Sequence, residues 1–370
     1  MADSVHLARW LSQFVDQPID FTLFPSSPHR RIHPVVKQQL HSETGKMTVV
    51  IKPALMRWLA FPYSALDLLL ANLLRSRLLR HVIESQQFDL IHVMELQHAG
   101  YLLLDTKLAP SLPKVFITNW GSDIYWFQQF PKHKKKIVEL LDIASAYSAE
   151  CNRDIEVVRG LGYSGVVMPV VPNSGGVDLN QLPKESLPPS RRKNVIIKGY
   201  TGFVGRAITA LRALEAVADC LSGYEVFIYS ASLRVRLRAL MLRFKHGVPV
   251  RIIKKRTPHA VMLRHFSQSR IYIGISLSDG ISTSLLEAMA TGCYPIQTGT
   301  SCACEWLTPT SGAIVSPSDI GEIGQRIREA ITCDTLVDEA AGANIAIIQS
   351  RANTQVVSSV ALGFYRDLLS

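Results

Sequence analysis

Arg270-Ile271-Tyr272-Ile273-Gly274-Ile275-Ser276, then, after Leu277, Ser278-Asp279-Gly280-Ile281-Ser282-Thr283-Ser284, then Leu285-Leu286-Glu287-Ala288-Met289-Ala290-Thr291-Gly292: these runs decide how the chain folds. The first is short, apolar and β-branched, which predicts a buried strand. The last predicts a helix, so a Gly/Ser/Thr-rich turn joins a strand end to a helix start. Such a turn aims backbone N–H groups, and the positive end of the helix dipole, at whatever lies above it. Asp279 opens the turn and Glu287 follows eight positions later. Amides and hydroxyls suit a diphosphate, and carboxylates suit ribose or sugar hydroxyls, so together they fit a nucleotide-sugar. Local alternatives use the same letters. Ser284-x-x-Glu287 is also a capping box closing on its own helix, and Asp279-Gly280 is also an ordinary turn pair.

Outward from this stretch, strands and helices alternate, which predicts parallel sheets with helices on both faces. In the first half the strands fall at 19–24, 47–51, 89–94, 114–118 and 166–171, with a Leu-striped helix over 65–84. In the second half they fall at 195–197, 225–229, 250–253, 271–275 and 294–297. A helix over 206–221 carries Ile208, Leu211, Leu214, Ala218 and Leu221 on one side. A chain of 370 residues suits two domains. The Pro-rich polar stretch 183–190 suits an exposed crossing between them. The predicted division is 1–175, 176–352 and a terminal segment 353–370, whose helix spans 356–369. At the other end, Asp3 or Ser4 caps a helix whose apolar face is Ala8, Leu11, Phe14 and Val15. A domain of this kind opens instead with a central strand. The expectation is that the natural chain begins upstream and that the first domain, as given, lacks its first strand; were the chain complete as given, that domain would be expected to be unstable.

A second Gly-rich loop, Lys198-Gly199-Tyr200-Thr201-Gly202-Phe203-Val204-Gly205-Arg206, sits between a strand and the helix at 206–221. Its glycines allow a backbone to approach a ligand closely, as phosphate-cradling turns need. A flexible loop between two solvated cations is the alternative. In the first half, Thr118-Asn119-Trp120-Gly121-Ser122-Asp123 follows a predicted strand, where ligands collect in parallel sheets. Asp123, with Asn119, meets a sugar or acceptor, or else caps a helix. Glu95, Gln97 and His98 follow another strand end, and His98 is equally readable as structural or solvated.

The stretch 278–292 resembles the Glu-x7-Glu signature of the retaining glycosyltransferases of family 4, which have the two-domain GT-B architecture. It matches that pattern at Gly280 and from Leu285 through Gly292. It departs where Asp279 replaces the first Glu and where Ser282 stands in place of a second Gly. Ser282 is compatible with phosphate there only at negative φ. Pro172-Asn173-Ser174-Gly175-Gly176-Val177-Asp178 resembles the family's Pro-Asn-Gly-Val-Asp linker with small residues inserted. The turn 118–123 resembles its His-Gly-x-Asp turn, with Trp120 at the His position and His98 as a candidate replacement. Glu305 stands where the family has a Pro-Glu near the donor, a helix-start acid being the simpler account.

The resemblance implies an α/β GT-B fold: two Rossmann-like, doubly wound domains facing a cleft, with the last helix crossing back to the first domain. It implies retaining, metal-independent transfer of a hexosyl group from a nucleotide-sugar donor to a cell-envelope glycan or glycolipid acceptor, as in polysaccharide or lipopolysaccharide biosynthesis. Lys198 and Arg206 would contact the donor diphosphate. Gly199, Gly202, Gly205, Gly280, Ile281, Ser282, Thr283, Ser284 and Leu285 would line the donor, and Glu287 would bind ribose. Asp279 and Asp123 would complete the catalytic set, with Glu95, Gln97, His98, Asn119, Trp120 and Gly121 on the acceptor side. No metal and no cofactor are implied, the nucleotide-sugar being a co-substrate. Two rivals stay open: a nucleotide-sugar-binding protein without turnover, and a nucleotide-sugar 2-epimerase.

Composition sets bounds on these readings. Hydrophobic content of 47% excludes wholesale disorder. The longest apolar stretch, 65–79, is broken by Asp67, Asn72, Arg75 and Arg77, short of the ~18 residues a span requires. A cytoplasmic protein is expected, with a peripheral position on the inner face of a membrane left open. The six cysteines lack zinc or redox spacing and are expected to be reduced thiols. The formal charge of +10 is uneven: from Val226 through Ser278 there is no acidic residue against eleven Lys and Arg. Within that span Leu233, Leu237, Leu240, Met241 and Phe244 share one helical face, with Arg234, Arg238 and Lys245 elsewhere. That is a basic amphipathic helix able to meet anionic lipid, or else an outer helix with a solvated basic face. Lys132-His133-Lys134-Lys135-Lys136 is a second basic run, read as a solvated helix start or a contact for an acidic surface. Nucleic acid is not expected, because no basic stretch is interleaved with stacking aromatics.

Overall fold

The computed structural model describes residues 4–26, 32–40, 47–50, 72–108 and 111–370. Strand residue 51, helix residues 65–71 and the cap candidate at position 3 lie outside them. The chain divides into two compact units, residues 1–175 with 357–370, and residues 176–356.

In the first unit β1 (Phe21–Leu23) and β2 (Met47–Val49) form a parallel pair of their own. A separate parallel sheet runs in the order β3 (Leu90–Met94), β4 (Lys114–Thr118), β5 (Ala146–Ser148), β6 (Val166–Val167). Strand β6 is shorter than the expected 166–171, because Pro169 has no N–H to extend a ladder. The helix expected over 65–84 is described from Leu73 to Ser85. Val93, Val115, Ile117, Ile137, Leu140 and Val158 bury one face of the four-stranded sheet. An aromatic cluster forms a second core, in which Trp10 and Phe14 meet Phe116, Phe364 and Tyr365. The last two come from the helix Thr354–Leu369, which also places Val357, Ala361 and Leu368 there.

The second unit is built on one parallel sheet of six strands. They are β7 (Asn194–Lys198), β8 (Glu225–Tyr229), β9 (Val250–Ile252), β10 (Ser269–Gly274), β11 (Tyr294–Thr298) and β12 (Ala313–Val315). Their spatial order is β12-β11-β10-β7-β8-β9. Every residue of β10 is buried, as a strand covered on both faces must be, which accounts for its unbroken apolar run. Val195, Ile197, Val226, Ile228, Ile271 and Ile273 make the sheet side of the core, closed by Leu211, Leu214, Ile323 and Ile327. The helix Ala207–Ala216 stops short of the expected residue 221, its continuation tightening into a 3₁₀ turn at Ala218–Cys220. From β7 the chain winds outward through β8 and β9, and from β10 it winds the other way. The order reverses between β7 and β10, and ligands of doubly wound sheets bind at the carboxyl end of such a pair.

Cys220, Cys293, Cys304 and Cys333 are free thiols. Cys151 and Cys302 are not, which corrects the expectation for those two.

Candidate functional site

Both Gly-rich segments emerge at that reversal. Lys198 ends β7, and Ile197 is in register with Ile273 one residue before the end of β10. The Lys198 Nζ lies 2.5 Å from Asp279 Oδ2, with side chains only 8% and 21% exposed. Burial, the largest single influence, would depress the Lys198 ammonium, but the charge and hydrogen bond of Asp279 together with Tyr272 and Tyr200 outweigh it and the pKa rises overall. A cation held in this position needs such a counter-charge. The Tyr200 ring lies 5.3 Å from the same Nζ.

Backbone hydrogen bonds stitch the two loops together. Arg206 N–H donates to Ile275 O at 2.7 Å, and Leu277 N–H donates to Phe203 O at 2.7 Å. Gly199 N–H donates to Tyr229 O at 2.9 Å on the neighbouring strand. A Cβ at Gly199 would sit 2.4 Å from that oxygen and 2.9 Å from Ala231 Cα, so only glycine fits. Gly202 has φ +90°, the conformation that glycine adopts at no steric cost.

The turn after β10 leads into the helix Thr283–Ala290, with Ser282 at its N-cap and φ −64°. That negative φ meets the condition on Ser282. The Ser282 side chain makes no cap hydrogen bond, and this N-cap lies two residues before Ser284, so Ser284–Glu287 is not the box at the helix start. Glu287, buried at 7% exposure, instead places Oε1 2.7 Å from His259 Nε2. His259 opens the helix His259–Ser267 after β9. Nothing in the sequence singled it out, because its partner is 28 residues away and only the fold joins them. Tyr229 and Tyr272 are also close to this turn, and burial pushes both phenols up, Tyr229 far. Gly274 makes room for the second: a Cβ there would lie 2.6 Å from Tyr272 Oη and 2.0 Å from Gln297 Oε1. Lys198, Asp279, Glu287, His259 and the start of the helix Thr283–Ala290 thus share one sheet edge. The set offers fixed positive charge for an anion and two oriented carboxylates for hydroxyls.

The first unit gathers its own candidates at the carboxyl ends of β3 and β4. Asp123, 5% exposed, accepts from Trp120 N–H at 2.8 Å and from Leu96 N–H at 3.2 Å. Burial raises its carboxyl well above the usual range, and the nearby Glu95 adds to this. Gln97 Nε2 donates to Asp123 O at 2.7 Å. Glu95, at φ +84°, accepts from the N–H groups of Gln97 and His98 and lies 3.0 Å from His98 Nδ1. That hydrogen bond raises the His98 pKa, although burial opposes it. Asn119 Nδ2 donates to Asp154 Oδ2 at 2.7 Å, Gly121 turns at φ +88°, and Trp120 packs 5.4 Å from the His6 ring. All seven candidates are brought together, and the polar groups of most of them are engaged with one another or with neighbouring backbone.

Residues 1–146 match the family model described as glycosyl transferase 4-like. No curated protein matches the chain in sequence. Among solved structures, Anabaena HepE in complex with UDP and glucose aligns over 99% of this chain and 97% of its own, at 14% identity and TM-score 0.69. Sucrose-phosphate synthase from Thermosynechococcus elongatus aligns over 98% and 91%, at 14% identity and TM-score 0.67. The α,α-trehalose-phosphate synthase of Burkholderia xenovorans, in complex with glucose-6-phosphate, aligns over 81% and 78%, at 12% identity and TM-score 0.63. The chain has the fold of the GT-B glycosyltransferases, with a Rossmann-like parallel sheet in each unit.

Proposed function

We propose that this GT-B chain is a retaining, metal-independent glycosyltransferase that moves a hexosyl group from a nucleotide-sugar to a glycan or glycolipid of the cell envelope. The observation that carries the reading is the Lys198–Asp279 pair beside the start of the helix Thr283–Ala290, at the strand-order reversal of the second sheet. In this reading residues 176–352 bind the donor and residues 1–175 face the acceptor, with the terminal segment 353–370 completing the first domain. The departing nucleoside diphosphate carries developing negative charge. Lys198, Arg206 and the N–H groups of Ser282, Thr283 and Ser284 would stabilise it electrostatically, without a metal. Gly199, Gly202 and Gly205 let the backbone come close to the phosphates, and Gly280, Ile281 and Leu285 line the same turn. Glu287, oriented by His259, would take the ribose hydroxyls. Asp279 would hold hydroxyls of the transferred sugar once a donor phosphate shares Lys198. No side chain is assigned as a covalent nucleophile. On the acceptor side, Glu95, Gln97, His98, Asn119, Trp120, Gly121 and Asp123 shape the floor, with His98 as the exposed titratable group. A cytoplasmic location, peripheral at a membrane, completes the proposal.

The test is a donor assay that follows nucleoside diphosphate release and the anomeric configuration of the product by NMR. Release with retained configuration, lost in Lys198→Met, supports the reading. A donor that binds with neither hydrolysis nor transfer to any glycan points to a binding protein without turnover. That outcome is favoured by Trp120 standing where the resembling family has His.

A further inference from the structure

The helix Leu233–His246 is anchored to the second sheet by Val235, Ala239 and Leu242, all fully or nearly fully buried. At about 100° per residue these lie on one face, centred roughly opposite the stripe formed by Leu233, Leu237, Leu240, Met241 and Phe244. That stripe is exposed: Leu233 by 72%, Met241 by 52% and Phe244 by 82%. The helix therefore has two apolar faces, and the larger one points away from the core. Exposed Arg234 and Lys245 flank the stripe on one side, and exposed Arg236 and Arg243 flank it on the other. Arg238 is set apart, paired with Glu215. Strands β8 and β9 are parallel neighbours, so the start of this helix and the exposed run Lys254-Lys255-Arg256 both emerge at the carboxyl edge of the sheet.

We propose that this helix docks the protein on an anionic lipid surface, its Leu/Met/Phe stripe entering the acyl boundary while the flanking arginines and lysine meet headgroup phosphates. The argument is charge complementarity combined with geometry. An apolar stripe between two cationic borders is the layout of an interfacial helix, and no acidic residue lies between Val226 and Ser278 to oppose it. A symmetric contact with a second copy would instead set these cations against themselves. None of the described helices is long and apolar enough to cross a membrane, so the contact is one of lying on the surface. This takes up the membrane part of the proposed function, but it rests on a surface that shares no residue with the donor site.

Co-sedimentation with vesicles tests it. Wild type is expected to bind phosphatidylcholine vesicles containing about one quarter phosphatidylglycerol and to leave pure phosphatidylcholine vesicles in solution. Arg234→Gln/Lys245→Gln should weaken binding about 25-fold, taking about fivefold per cation at an anionic surface. Leu237→Ser/Phe244→Ser should weaken it by about tenfold or more. Both pairs are exposed, so circular dichroism and nucleoside diphosphate binding should match wild type. Failure of wild type to bind anionic vesicles overturns the proposal, as does unchanged binding by the serine pair. Concentration-dependent self-association that Leu237→Ser/Phe244→Ser abolishes, without vesicle binding, would assign the face to a second copy and overturn it too. Loss of donor binding in wild type would count against the proposed function and leave the vesicle result intact.

Discussion

Replacing Asp279 by Asn keeps the shape of the side chain and removes its charge, leaving the Lys198 ammonium buried without it. Removing one partner of a fully buried pair costs about 3–5 kcal/mol. With 21% of the Asp279 side chain exposed, water can relax toward the site, so about 2–3 kcal/mol is expected here. For a folding unit of this size about 2–4 °C is lost per kcal/mol, so the transition of the second unit should fall by about 4–12 °C in calorimetry. The double variant Lys198→Met/Asp279→Asn should recover much of that loss, because an apolar chain replaces the stranded charge. A nucleoside diphosphate brings its own negative charge to Lys198. It should therefore raise the melting temperature of Asp279→Asn by more than that of wild type. The reasoning is refuted if Asp279→Asn lies within about 0.5 kcal/mol of wild type, or if the two substitutions add as independent sites would.

Three further outcomes follow from the same structure. Gly199→Ala would press a methyl against Tyr229 O and Ala231 Cα, both main chain, so a loss of about 2 kcal/mol or more and weakened donor binding are expected by denaturation and titration. His259→Ala should weaken donor binding by less than Glu287→Ala does, because it leaves the carboxylate present but unoriented; equal losses in titration would instead give His259 a direct contact. In the first unit His92 is half-buried between Tyr365 Oη and Thr118 Oγ1, each 2.8 Å from a ring nitrogen, and burial lowers its pKa to about 3. A histidine depressed in the folded state stabilises fully above its unfolded value of about 6.5 and loses that contribution as pH falls toward 3, about 2 kcal/mol by pH 5. Denaturation at pH 7 and pH 5 should show this loss in wild type, and His92→Leu, though less stable overall, should lack that part of the slope.

Legibility followed burial and length. Strands β4 and β8 coincide with their predicted bounds because each is a run of apolar or aromatic residues ending at a clear turn. Strands β5 and β12 escaped notice, since three residues such as Ala146-Tyr147-Ser148 carry no period of their own. Around the site, the two Gly-rich loops and their charges were readable from strand-turn-helix patterning alone. Their juxtaposition was not, because it depends on β7 and β10 being sheet neighbours. The same holds for His259 with Glu287, and for Tyr272, whose hydroxyl room is made by Gly274. The helix Leu233–His246 was legible as amphipathic and basic, but its core contacts were not: Val235, Ala239 and Leu242 are what the sheet receives.

The most direct test of the donor site is a thermal-shift panel of UDP-, GDP-, ADP- and CMP-sugars on wild type and Glu287→Ala. Stabilisation of wild type by one nucleotide class, absent or sharply reduced in Glu287→Ala, is the predicted result and identifies the base. A well-folded wild type that no nucleotide-sugar stabilises would contradict the account and leave the Asp279–Glu287 segment as an ordinary strand-to-helix turn.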